Sequence, residues 1–224
     1  MSLDDELKKY VEQAFSAPDA SIYHYTRDAS TILNCGYLKL FSHRDLNKKG
    51  NRELKRGVEI IQNKLPKIRP TLRIPIFNAY ISRGIEVYTA SFCEDGNSKY
   101  ASGKYGKHCL EFKTPFLEQF KDPETFIILG RVKYNHMEQE KIITEILDLY
   151  EQYPRKSPRE LEDLLLWLSI CIPFFKEEKD HPDNECRIVT ARIWSLDHPN
   201  VLETPECSKR IEFDRDDITY TLVS

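Results

Sequence analysis

The stretch IEVYTASF, Ile85 to Phe92, decides the fold class. It is rich in β-branched and aromatic residues and reads as a strand. The link that follows, CEDGNSKYASGKYG (93–106), is polar and carries glycines, with room for a helical turn. HCLEF (108–112) then reads as a second strand. Working outward, SIYHYT (21–26), YLKLF (37–41), TFIILGRVKY (125–134), ECRIVTARIW (185–194), RIEF (210–213) and ITYTLV (218–223) are further strands. Most neighbouring pairs lack a regular helix between them, so a doubly wound parallel sheet is excluded. The expected class is α+β, with a mixed, largely antiparallel sheet and flanking helices.

The helices have their own pattern. DDELKKYVEQAF (4–15) places Leu7, Tyr10, Val11 and Phe15 at helical spacing, and Pro18 ends it. RDASTILNCG (27–36) reads as a short helix closed by Gly36. MEQEKIITEILDLYEQY (137–153) turns Ile142, Ile143, Ile146, Leu147 and Leu149 inward. SPRELEDLLLWLSICIPFF (157–175) opens with a serine cap, a proline in the first turn and acids behind it. Residues 1–224 read as one domain, with 137–175 as a helical insertion or layer within it.

The chain has 224 residues, of which 40% are hydrophobic and 11% aromatic, enough for a substantial core. Its net charge of −3 argues against a whole-molecule electrostatic footprint for nucleic acid. Charge is uneven, however. From His43 to Arg73 there are ten Lys/Arg against three Asp/Glu. That stretch is either a solvated basic face or a patch for the phosphates of a nucleotide or nucleic acid. The apolar run Leu164 to Phe175 is too short to span a bilayer and is broken by Pro173, so it reads as a core helix. The acidic, amphipathic N-terminus is unlike a signal peptide. Six cysteines are scattered without a Cys-x-x-Cys pair, which suits reduced core thiols and a cytoplasmic location.

Dinucleotide-binding glycine motifs, a phosphate-binding Gly-Lys-Ser/Thr loop, His-Glu-x-x-His and Gly-x-Ser-x-Gly are all missing, and the histidines lack metal-ligand spacing. Three clusters remain. They are His24-Tyr25-Thr26, then Ser91 with Tyr100, Tyr105 and Gly106, and then Glu185 and Arg187 opening a late strand. Each alone has a structural explanation: a strand histidine, a turn, or an ion pair two residues apart on one strand face.

Together, YHYT, STILNCGYLKLF, ASFCEDGNSKYASGKYGKHCLEF and NECRIV resemble the domain of unknown function 2971 family, in blocks from Ile22 to Val189. Asn47-Lys48-Lys49 stands where that family has Asn-Asp-Pro, Asn97 where it has tryptophan and Lys104 where it has histidine. More distantly, a first-strand His-Tyr-Thr, a middle-strand serine and a late glutamate are similar to the ADP-ribosyltransferase scaffold, whose sheet is split. That resemblance implies NAD as substrate. His24, with Tyr25 and Thr26 beside it, would hold the ribose or adenosine side. Ser91 would orient Glu185, and Tyr100 or Tyr105 would stack on nicotinamide. Arg187 would sit at the cofactor, and Glu185 would hold the ribose 2′-hydroxyl and favour the oxocarbenium-like state. Asp183 would stand on the acceptor side and take its proton.

The residues leave two alternatives open. One is a non-catalytic binding module for a nucleotide, nucleic acid or protein, motivated by the basic stretch 43–73. The other is a metal-dependent nuclease or hydrolase.

Overall fold

The computed structural model describes residues 2–16, 18, 21–42, 52–68, 85–113, 127–154, 157–178, 184–193, 208–212 and 218–223. In chain order the elements are α1 (Leu3–Ala14), β1 (Ser21–Thr26), α2 (Ser30–Cys35), β2 (Tyr37–Ser42), α3 (Arg52–Ile68), β3 (Ile85–Cys93), α4 (Lys99–Tyr105) and β4 (His108–Lys113). Then follow β5 (Ile127–Arg131), α5 (His136–Gln152), α6 (Pro158–Cys171) with a 3-10 turn at Ile172–Phe174, β6 (Glu185–Ile193), β7 (Ser208–Glu212) and β8 (Ile218–Leu222). The architecture is α+β, and every pairing between the named strands is antiparallel.

The sheet runs β5-β6-β3-β1-β4-β8 and forks at β3. One edge of β3 pairs with β6 along its whole length, from Ile85↔Ile193 to Cys93↔Glu185. The other edge is shared. Near its C-terminal end β3 meets β1, with Tyr23 opposite Cys93. Further back it meets β2, with Phe41 opposite Thr89 and Ser42 opposite Tyr88. Ser91 therefore lies where β1 and β2 part.

Because strand side chains alternate, this register sorts the residues onto two faces. The first face carries Ile85, Val87, Thr89, Ser91 and Cys93 of β3, and Val189 and Ala191 of β6 share it. Over β3, β5 and β6 it is covered by helices, in a core that joins Ile85, Ile128, Val189 and Ala191 to Leu7, Ile61, Ile146 and Trp167. The second face curls on itself. Ile22, Leu38, Leu40, Tyr88, Phe92, Leu110, Phe112 and Ile188 bury one another there, and Ala29, Ile32 and Leu33 around α2 close the opening. Each such aliphatic side chain contributes about 1.5–3 kcal/mol when taken from water.

The helices of 137–175 pack with two others, α1 and α3, in one core. α1 buries Leu3, Leu7 and Val11, and its Asp4 accepts a hydrogen bond from Trp167 Nε1 at 2.7 Å. Phe15 stacks on Phe174 with centroids 4.4 Å apart. α3 turns Ile60, Ile61 and Leu65 into the same core. Asn135 caps α5 by accepting from the Met137 and Glu138 amides, and the Ser157–Glu160 capping box starts α6. On α5 the inward set is Ile142, Ile143, Ile146, Leu147 and Tyr150, while Leu149 is only half-buried.

The link 93–106 holds a seven-residue helix, α4, more structure than its composition suggested. The cause lies outside the segment. Tyr25 donates its hydroxyl to the Asp95 carbonyl at 2.8 Å and accepts the Ser98 amide at 2.9 Å, and Ser98 in turn caps α4. Gly106, at φ 129°, brings the chain back against the Thr26 carbonyl, where a side chain would collide. Among the described residues no helix is long and apolar enough to cross a membrane. Cys93, Cys109, Cys171 and Cys186 are buried free thiols, and Cys35 is exposed. Cys207 lies outside the described residues.

Candidate functional site

The three proposed catalytic residues do not converge. His24 belongs to the second face: its ring meets Phe92 edge-on at 5.6 Å, and Phe92 meets Phe112 at 5.5 Å. Its Nδ1 lies 2.9 Å from the Ser91 carbonyl oxygen. An oxygen acceptor there requires Nδ1 to carry the proton. Burial pushes the His24 pKa down and the Ser91 carbonyl pulls the other way, with burial prevailing. The imidazole thus replaces the strand partner that the fork denies Ser91.

Glu185 is on the first face, directly opposite Cys93 and two residues from Arg187. It is 4% exposed. Arg187 Nε lies 2.5 Å from its Oε1 and Lys176 Nζ 2.5 Å from its Oε2. Arg187 also donates to the Pro173 carbonyl. Burial raises the carboxyl pKa, but the charges of Arg187 and Lys176 and their hydrogen bonds overcome it and hold it at about 2. The carboxylate stays ionised, with Oε1 bonded to Arg187 and Oε2 in an ion pair with Lys176. It ties the end of the helical layer, residues 173–176, to β6. Lys176 sits in the unremarkable charged run KEEKD (176–180), and nothing in its spacing announces the contact.

The remaining residues divide. Tyr25 is buried with its hydroxyl committed to the 95–98 loop, and burial raises its pKa. Thr26 Oγ1 accepts the Asp28 amide and donates to the Asp28 carbonyl, closing a local turn. Arg187 is consumed by Glu185 and Pro173. Ser91 keeps its side chain on the first face, opposite Arg187, and is half-buried. Asp183 lies outside the described residues.

Tyr100 and Tyr105 are different. Tyr100 is 46% exposed and Tyr105 half-buried. Lys104, one helical turn after Tyr100, places its ammonium 5.2 Å from the Tyr100 ring and 4.8 Å from the Tyr105 ring. α4 itself lies on the first-face side of β1, anchored by Ala101 among Tyr25, Cys93 and Cys109.

A second pair with the same chemistry stands across the fork on β2. Phe41 is 43% exposed, and Lys39 Nζ lies 5.2 Å from its ring centroid. The alternation in YLKLF held this signal, since burying Leu38 and Leu40 turns Lys39 and Phe41 together onto the opposite face. Between the pairs, the half-buried Ser91 lines β3. The Thr89 hydroxyl, buried directly opposite Phe41, has no hydrogen-bond partner among the described residues.

In the basic stretch, Lys55 is exposed, Arg56 donates to Gln139 at 2.9 Å and Lys64 pairs with Glu140 at 3.1 Å. Two of its charges therefore hold α3 to α5. Arg44, Lys48, Lys49, Arg69 and Arg73 lie outside the described residues. Among the described residues no group of three or more His, Cys, Asp or Glu is placed to hold a metal ion.

Comparison with protein-family models, with curated proteins and with solved structures found no match. The resemblances drawn above therefore stand on the quoted residues alone.

Proposed function

We propose that the chain is a binding module for a nucleotide or nucleic acid, acting without turnover. The observation that carries this reading is the exposed Tyr100 with Lys104 held over it and Tyr105. A flat aromatic surface beside an ammonium suits a base and its phosphate, since every base has a face to stack and every phosphate a charge to meet. The test is fluorescence anisotropy with labelled mononucleotides and oligonucleotides at low and high salt. Binding that weakens as salt rises, and that Tyr100→Ala lowers, supports the reading. Absence of binding to every nucleotide at low salt overturns it.

A second reading, ADP-ribosyl transfer from NAD, comes from the transferase resemblance and is favoured by one feature: Ser91, Arg187 and Glu185 share the first face of adjacent strands. Against it stand the position of His24 on the other face and the two cations that occupy Glu185. Incubation with labelled NAD decides. Nicotinamide release abolished by Glu185→Gln, in a variant shown to be folded, revives this reading; no release retires it.

A further inference from the structure

Lys39 and Phe41 stand on the first face at β2, and α4, which carries Tyr100, Lys104 and Tyr105, packs over the first face at β1, on the other side of the fork. Phe41 is registered to Thr89, and Tyr23, beneath the α4 side, is registered to Cys93. Those two β3 positions are four residues apart, ~13 Å at ordinary strand rise. That is farther than a single base reaches, and it falls within the ~4-nucleotide footprint of the smaller single-strand binding surfaces. Exposed lysines continue the positive charge on both sides, with Lys39 on β2 and Lys99, Lys104 and Lys107 along α4 and its exit. Glu111, the acid registered to Tyr23, accepts from the Ser21 hydroxyl at 2.7 Å.

We infer that the ligand is a single-stranded nucleic acid lying across the fork, with one base against Tyr100 and another against Phe41. This rests on the binding-module reading and adds the ligand's length and path. Stacking on two separated rings makes affinity depend on chain length, because a mononucleotide reaches only one of them. Lys39 and Lys104 meet the phosphates, so the salt dependence grows with length as well.

The experiment is a length series of fluorescein-labelled oligouridylates and oligothymidylates, from one to about eight nucleotides, titrated into the wild-type chain, Phe41→Ala, Lys39→Glu and Tyr100→Ala. Thermal unfolding verifies that each variant is folded. The expected result is affinity that rises steeply up to about four nucleotides and then levels, with roughly tenfold losses for Phe41→Ala and for Tyr100→Ala on the longer probes. Lys39→Glu lowers both affinity and salt slope. If mononucleotides bind as well as longer probes and Phe41→Ala changes nothing while Tyr100→Ala weakens binding, the two-station path is wrong and the binding-module reading survives. If no probe binds the wild-type chain at low salt, both fall. Preference between the uridylate and thymidylate arms assigns the strand as RNA or DNA.

Discussion

Along the first face of the sheet, one end is sealed and the other left open. At the β6 end, residues 173–176 close over the sheet, and the Glu185 carboxylate lies between the cations Lys176 and Arg187 out of reach of water. At the fork, Phe41 and Tyr100 remain exposed with lysines over their rings. Both ends bear charged residues, but with opposite consequences. In a sealed site a charge is satisfied by its neighbours and acts on stability. In an open one it stands exposed beside a ring that also faces solvent. Charge and strand position alone cannot tell these cases apart, which is why the sequence shows a late Glu-x-Arg strand but not that its carboxylate is buried between two cations.

The largest break in this contrast comes from Glu185→Gln. It removes the carboxylate that Lys176 and Arg187 both pair with inside the fold, at a cost of about 3–5 kcal/mol. A drop in Tm of about 10 °C is expected in thermal unfolding. The pH dependence follows. The carboxyl's ordinary value is 4.5 and its folded value is about 2. Its contribution is therefore complete above pH 4.5 and is lost as pH falls through about 2. Glu185→Gln removes that acid-side loss. A variant as stable as the wild-type chain would place the carboxylate outside the ion cluster.

His24→Phe is next. The aromatic packing on Phe92 persists, but the Ser91 carbonyl loses its donor, at about 1–3 kcal/mol. Burial lowers the His24 pKa from its ordinary 6.5, so the imidazole is neutral in the fold and gains a proton more easily when unfolded. Stability from this group is present above pH 6.5 and declines as pH falls toward the lowered value. Unfolding followed from pH 7 to pH 5 should show that decline in the wild-type chain and a shallower one in His24→Phe.

Tyr100→Ala has the opposite profile. Its ring is exposed, so stability changes by about 0.5 kcal/mol or less, while binding of single-stranded oligonucleotides loses about 1–3 kcal/mol. A large Tm change with intact binding would make Tyr100 part of the sealed structure.

The smallest expected effect is at Asp163 in α6. Burial raises its pKa to about 6, and Asp4 adds to the rise. A raised carboxyl destabilises the fold where it is ionised, so stability improves as pH falls from about 6 toward 3.8. Asp163→Asn should raise Tm at pH 7 by a degree or two, the effect being reduced by its partial exposure. Calorimetry at pH 5 and pH 7 checks that the gain is smaller at the lower pH.

The fold was largely legible because it rests on periodicity. IEVYTASF, HCLEF and ECRIVTARIW alternate as strands, and Ile142, Ile143, Ile146 and Leu147 repeat as one helix face. Face assignment was not legible between strands. His24 and Glu185 are each readable as strand residues, but their faces depend on register through β3, and register is set by distant pairing. Helix α4 was legible only as room for one helical turn for a similar reason, because Tyr25 holds its entry from 70 residues away. Lys176 was hidden in the charged run KEEKD, whose spacing does not set it apart. Lys39 and Phe41 were legible from the alternation in YLKLF but became meaningful only beside the fork.

Amide hydrogen exchange with and without saturating octauridylate tests the contrast most directly. The account predicts new protection at residues 37–42 and 98–106, with residues 173–176 and 185–189 unchanged because they are already sealed. Protection gained at 173–176 and 185–189 instead, or no change anywhere in the chain, would contradict it.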